Sequence, residues 1–515
     1  VNRELEQGVH PEEIIYTSFT RAACNEAVQR ALTTGEMGYK KDDFPYFRTE
    51  HAICFRLLGL KKEYVFAGKN QQDFSDKYPM YRLNLNSNYS FQERTHEAML
   101  QSLGDYYEFF ISWMDNLMMP FPAAIKLFIR EQRGELPEEF TISGAQTYME
   151  RRDAFKQEHS FWDFNDMIHT VSERRLCPDV KILLCDEAQD MSPSLYRLID
   201  MWASQAEKVY IAGDKFQAIY GFSGAAPELF DEFPGEMVVL PHSHRLPPQI
   251  KDYAEKIIAL ANLPFPQFTA ADKLGEIQNR QMATIDWLNL GPTFLLARTR
   301  WQLKQLADRL RLVGVPFTFA ERLPYAAASS SRGLEGSKGE AFRTLIKIQA
   351  RERVSADDLR ALAKHTRQPW LVKGAKTRIK ELVDAEYAFK DVAHFFSQNF
   401  LDTVAEDLSV ILCQDIDEGD KSYLHRVYKK CGVAAFMKKP DIVLSTIHGS
   451  KGQEKETVVI SPEMGRRVYE SFLTDKKSEV FVAYVAATRS MKRIIMLPRE
   501  TPESFPYPRQ NGVKE

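Results

Sequence analysis

A chain of 515 residues that is 44% apolar and 27% charged, with a net charge of −3, holds enough material for three or four domains with cores of their own. No run of eighteen apolar residues marks a membrane span, and the near-neutral balance excludes a globally basic nucleic-acid coat while leaving room for a locally basic groove. Cys24, Cys54, Cys177, Cys185, Cys413 and Cys431 include no C-x-x-C pair, which argues against a zinc site or a disulfide framework. With no secretory signal at the start, a reducing cytoplasm is the expected setting.

The chain opens at Val1 inside a helical pattern and without methionine, so residues before Val1 are expected. Ile14-Ile15-Tyr16-Thr17-Ser18-Phe19 reads as a short strand. Thr20 is placed to cap the next helix, where Ala23, Ala27, Val28 and Ala31 recur at helical spacing. From about 57 to 144 the pattern is aromatic-rich and amphipathic, with no parallel-strand signal. An α/β pattern returns near Phe161-Trp162-Asp163-Phe164 and runs to about 235.

Within it, the apolar run Ile182-Leu183-Leu184-Cys185 ends in Asp186-Glu187-Ala188-Gln189-Asp190. Such a run predicts a buried strand that delivers carboxylates to the edge where open α/β sheets bind nucleotides. Val209-Tyr210-Ile211-Ala212-Gly213-Asp214 repeats the pattern, followed by Gln217 and Tyr220-Gly221-Phe222. A second set of strands is expected at Val238-Val239-Leu240, Phe294-Leu295-Leu296-Ala297, Ile442-Val443-Leu444, Val458-Val459-Ile460 and Ile494-Ile495-Met496-Leu497. Alternating with helical segments, these imply a second doubly wound core. A helical stretch interrupts it, preceded by the small, polar segment 326–333, read as a flexible loop.

The expected domains are a first core of 1–56 and 145–235 with an insertion at 57–144. A second core spans 236–335 and 436–515, with an insertion at 336–435.

The two acids suit different tasks. Magnesium takes oxygen ligands and keeps several waters, so Asp186 alone suffices beside substrate phosphates. Glu187 can polarise an attacking water; the competing reading is an acidic loop capping the next helix. Gln217 has a two-sided amide suited to sensing a phosphate or orienting water. Tyr220 and Phe222 can stack on unpaired bases, a sequence-tolerant contact, or pack into a core.

Seven segments in order resemble a superfamily 1 DNA helicase of the UvrD/Rep type. They are Tyr16-Thr17-Ser18-Phe19-Thr20-Arg21-Ala22-Ala23; Thr49-Glu50-His51 with Phe55-Arg56-Leu57-Leu58; D-E-A-Q-D at 186–190; and G-D-x-x-Q-A-I-Y-G-F-S-G-A at 213–225. Ser243-His244-Arg245, T-I-H-G-S-K-G-Q-E at 446–454 and Y-V-A-A-T-R at 484–489 complete the set. The resemblance implies two RecA-like, P-loop NTPase-type parallel-sheet cores, each with a mostly helical insertion.

It implies ATP and Mg2+ as cofactors, with Asp186 as the metal ligand. Asp186, Glu187, Gln217, Arg245 and Arg489 would be catalytic, the two arginines facing the acids across a cleft between the cores. His244, Lys451, Gly452 and Glu454 would bind nucleotide. Phe19, Thr20, Arg21, His51, Tyr220, Phe222 and His448 would line a track for single-stranded DNA. The implied protein is a bacterial or phage-encoded cytoplasmic motor on single strands and DNA junctions, with 3′ to 5′ polarity and no membrane partner.

Departures from the family pattern are His244 for tyrosine, Glu50 for phenylalanine, Phe222 for tryptophan and Gln453 for leucine. No G-x-x-x-x-G-K-[ST] loop occurs. The family carries it just upstream of the helix begun at Val1, so this chain is expected to bind ATP poorly. The alternative is a single-strand-binding, helicase-like protein without turnover. Lys373, Lys376, Arg378 and Lys380 read as a solvated helix face ahead of a duplex contact.

Overall fold

The computed structural model describes residues 1–34, 38–84, 100, 102–132, 136–320, 337–406, 418–432 and 434–508. The loop expected at 326–333, and Cys413, lie outside the described residues. The chain divides into two compact units, Val1–Leu240 with Lys477–Tyr484, and Pro241–Lys476 with Val485–Glu515.

The sheet of the first unit has strands β1 (Ile14–Ser18), β2 (Ile182–Asp186) and β3 (Lys208–Ile211), parallel and in that spatial order. Side chains alternate between its faces, as the pleat requires. Ile15, Leu183 and Cys185 pack on the helices Phe164–Glu173 and Pro193–Ala203 through Met167, Ile168, Leu198 and Trp202. Ile14 and Ile182 face the other way, onto Leu5, Val28 and Phe47. Each such fully buried large side chain contributes roughly 1.5–3 kcal/mol. Thr20 Oγ1 accepts the Ala23 N–H at 3.2 Å and so starts the helix Arg21–Thr34.

β3 is an edge strand whose Val209 and Tyr210 are exposed. Glu4 ties the N-terminal helix to it, accepting from Tyr210 Oη at 2.8 Å and Lys208 Nζ at 3.0 Å.

The strand expected at 238–240 is not formed. Val238, Val239 and Leu240 are exposed and pair with no strand among the described residues. Three apolar residues become a strand only beside a backbone that completes their hydrogen bonds, and local sequence does not say whether that neighbour is there.

Between β1 and β2, the helices Lys69–Lys77, Leu103–Asn116, Phe121–Glu131 and Ile142–His159 close around Phe74, Tyr107, Phe110, Phe128 and Tyr148. This layer is aromatic where the sheet layer is aliphatic.

The second unit is built on a six-stranded, all-parallel sheet. In chain order its strands are β4 (Glu276–Asn279), β5 (Thr293–Ala297) and β6 (Thr318–Phe319). After a small antiparallel pair, β7 (Val354–Ser355) with β8 (Glu386–Tyr387), come β9 (Ile442–Thr446), β10 (Lys455–Ile460) and β11 (Ser490–Met496). The spatial order is β4-β11-β10-β5-β9-β6. β5 is buried along its whole length, which is why it reads as an unbroken apolar run. Helices Ser337–Gln349 and Ala356–Lys364 share one apolar core with this sheet. No helix among the described residues is long and apolar enough to cross a membrane.

Candidate functional site

In the first unit, pairing of Ser18 with Asp186 brings the ends of β1 and β2 level. Asp186 Oδ2 accepts the Tyr16 hydroxyl at 3.0 Å, and Oδ1 accepts the Glu187 N–H at 2.9 Å. Glu187 adopts φ +58°, a left-handed conformation that β-strands do not continue through. The chain therefore folds back at once into the short turn Ala188–Asp190.

That turn buries Gln189 completely. Its Nε2 donates to Glu187 Oε2 at 2.5 Å, and its Oε1 accepts the Asp214 N–H at 3.0 Å. Asp214 Oδ2 in turn accepts from Gln217 Nε2 at 2.9 Å and from the Tyr484 hydroxyl at 3.0 Å. The carboxylate at the end of β2 and the amide after β3 are thus joined by one continuous set of hydrogen bonds. Gly213 makes room for it: a Cβ there would lie 2.5 Å from Gln189 Oε1.

Burial, and secondly the Glu187 charge, raise the proton affinity of Asp186. Tyr16 is held well above its ordinary range by burial and then by Asp186. A half-buried carboxylate short of positive charge suits a hard divalent cation. Among the described residues no three His, Cys, Asp or Glu side chains converge as a metal cage. Magnesium shared between one carboxylate, waters and phosphates needs no such cage.

The residues expected to meet nucleic acid occupy varied settings. Phe19 is buried and stacks on Tyr220, with centroids 5.1 Å apart and planes 27° apart; Tyr220 meets Phe222 edge-on at 6.1 Å. Arg21 is exposed, while Thr20 is engaged in capping. His51 lies edge-on to Phe164 at 5.4 Å. Burial lowers its pKa to about 4, against the pull of Asp163 and with Arg21 adding to the fall, so the imidazole is neutral at neutral pH.

In the second unit, Ser243 Oγ accepts the N–H groups of Arg245 and Leu246 at 3.3 and 3.0 Å, which fixes the turn carrying His244 into solvent. Arg245 is ion-paired with Glu454. β9 runs into the turn His448–Ser450, closed by the Gly449 N–H on Thr446 Oγ1 at 3.0 Å, and buries His448. Lys451 and Gly452, at φ +78°, lead on to β10. Arg489 is buried: Nε donates to the Val485 carbonyl at 3.1 Å and Nη1 to that of Gln453 at 3.4 Å. The Lys455 N–H returns to the Arg489 carbonyl at 3.1 Å, so Arg489 braces the turn that bears Glu454.

Asp186, Glu187 and Gln217 therefore form one linked group in the first unit, and Arg245, Glu454 and Arg489 another in the second. Sequence reasoning missed Tyr16, Gln189 and Asp214 as connecting residues. The signal was a polar side chain fixed inside each motif with no task assigned to it. Lys373, Lys376, Arg378 and Lys380 are exposed on the helix Ala375–Lys380 and the turn before it. Arg378 lies over Phe395 and donates to the His394 carbonyl at 3.1 Å.

Residues 1–237 match the family described as UvrD/REP helicase N-terminal domain. The chain is similar to a probable DNA helicase II homolog of Mycoplasma pneumoniae, 23% identical over 49% of this chain and 35% of the relative. It resembles the putative ATP-dependent DNA helicase YjcD of Bacillus subtilis, 23% identical over 44% of this chain and 29% of that one. With the ATP-dependent DNA helicase PcrA of Leuconostoc citreum, identity is 24% over 50% of this chain and 34% of the relative. These matches span about a third of the length of each relative.

Proposed function

We propose, for a chain whose residues 1–237 belong to the UvrD/REP helicase N-terminal domain family, that the protein is an ATP-dependent DNA helicase moving on single-stranded DNA. The observation that carries this reading is the bridge Glu187–Gln189–Asp214–Gln217. It couples a candidate general base to a candidate phosphate sensor without passing through solvent.

Asp186 would hold magnesium, which neutralises phosphate charge when bound. Glu187 takes a proton from the water that attacks the γ-phosphorus, its carboxylate aimed by the buried amide of Gln189. Gln217 registers whether the γ-phosphate is present and passes its position back through Asp214. Arg245 and Arg489 supply guanidinium groups to the charge that develops on phosphate oxygens. Arg245 is paired with Glu454, and Arg489 donates to the Gln453 carbonyl, so engaging phosphate would exchange these partners. Lys451, Gly452, Glu454 and His244 contact the nucleoside side.

Phe19, Tyr220, Phe222, Thr20, Arg21, His51 and His448 meet the DNA strand. Polarity of 3′ to 5′, action at DNA junctions, and the two insertions at 57–144 and 336–435 belong to this proposal through the family resemblance.

The test is Glu187→Gln in the protein expressed from its natural gene. ATP and single-stranded DNA should still bind, while DNA-stimulated hydrolysis falls by 10²-fold or more, within the range of a lost general base. Normal turnover would remove Glu187 from the mechanism. A second reading is a nucleic-acid clamp without turnover, supported by the lack of a G-x-x-x-x-G-K-[ST] loop in this sequence and opposed by the presence of Gln217, Arg245 and Arg489. It predicts DNA binding that is indifferent to ATP and no hydrolysis in the unaltered protein.

A further inference from the structure

A cavity of about 730 Å³ lies between the helices Leu103–Asn116, Ile142–His159 and Phe164–Glu173 of the first unit. None of the residues assigned above lines it. Its floor is a set of buried charges. Arg152 donates to Glu108 through Nε at 2.7 Å and Nη2 at 3.0 Å, and to Asp163 at 2.7 Å. Lys156 bonds the same Asp163 and reaches Asp166 at 2.8 Å. Asp153 stands 3.6 Å from Arg152, and Asp115 completes the wall.

Two cations thus face five carboxylates. Against the burial that opposes them, Arg152 and Lys156 hold Asp163 well below the usual carboxylate range. Asp166 shares Lys156 with Asp163, and Asp115 makes no ion pair among the described residues. Burial pushes Asp115 up to about 7 against the pull of Arg152, with Asp163 adding to the rise, and burial and then Asp163 raise Asp166. His169 also faces the space, and Met114, Met149, Phe161 and Trp162 form an apolar, partly aromatic wall.

An anion would meet two cations that already have carboxylate partners, beside the Asp115 carboxyl, which is in no ion pair among the described residues. A cation on an apolar stem would correct the imbalance and cover the wall. We propose that this cavity binds an organic cation, an alkyl ammonium or alkyl guanidinium. Its head lies against Asp115 and Asp166 and its stem along Met149 and Trp162. The head can belong to a free polyamine-like molecule or to a lysine or arginine side chain of a protein.

Calorimetric titration of the full chain with agmatine, and separately with the capped tripeptide Gly-Arg-Gly, tests this. Saturable 1:1 binding of either supports the site, and binding of the tripeptide alone assigns the source to a protein side chain. Affinity should rise between pH 6 and pH 8 as Asp115 gives up its proton. Asp115→Asn should weaken binding tenfold or more. Met149→Lys, which supplies a tethered ammonium of its own, should abolish binding while the protein melts no lower than the parent. The proposal is overturned if neither probe saturates, if both variants bind as the parent does, or if inorganic phosphate competes with agmatine.

Discussion

Glu50 carries a carboxyl group into the apolar layer behind β1, at 3% exposure, and its Oε2 has no hydrogen-bond partner among the described residues. Burial raises its pKa above the ordinary value. A group whose folded pKa exceeds its unfolded one contributes stability that is fully present below the unfolded value. That contribution is lost as pH rises through the folded value. Thermal melts of the unaltered protein should therefore fall from pH 5 to pH 8, and Glu50→Gln should flatten that fall by a few degrees. Equal slopes for the two proteins would mean that Glu50 is solvated. The sequence marked Glu50 only as a departure from phenylalanine. Asp186 and Glu187 were legible because carboxylates that end an apolar run have few structural uses. Tyr16 was not, because its partner lies 170 positions away and is chosen by strand register.

β2 and β3 work as a pair because the turns that follow them interlock through Gln189. Gly213→Ala puts a methyl group into the space that the Gln189 carbonyl occupies. The side chain must shift, releasing the Asp214 N–H or the Glu187 carboxylate. A loss of roughly 1–3 kcal/mol in stability is expected from overpacking. If the bridge aims the base, hydrolysis should fall at least tenfold at a temperature where circular dichroism shows the fold intact. Full activity in a folded Gly213→Ala protein would show that the bridge is structural only. The strands themselves were unevenly legible. β2, β5, β9, β10 and β11 lie inside their sheets, and most of their residues are buried. β4 and β6 are the two edges of the second sheet, and Glu276-Ile277-Gln278-Asn279 has no apolar run to read. Residues 238–240 failed in the opposite sense, as an apolar run without a neighbour.

Across the chain, 68 basic residues stand against 71 acidic ones, so the proposed attraction to DNA would have to be local. The two α/β alternations and the ordered motifs made the architecture readable, but net charge neither favours nor excludes the proposed nucleic-acid partner. The proposed function assigns two kinds of contact that salt can distinguish. Phe19, Tyr220 and Phe222 form an aromatic group, and the stacking on bases proposed for it would release no counterions. Arg21, two residues after Phe19, is an exposed cation, and the neutral His51 adds no charge. Fluorescence anisotropy with a labelled single strand should therefore respond differently to each. Phe222→Ala should weaken binding roughly 5- to 150-fold, from about 1–3 kcal/mol per stacked base, at every salt concentration. Arg21→Ala should flatten the slope of log affinity against log salt by about 0.7, the increment for one phosphate contact on a single strand. The slope should also be the same at pH 6 and pH 8, because His51 does not titrate there. A slope that changes with Phe222→Ala, or stays fixed with Arg21→Ala, would place the strand elsewhere on the molecule.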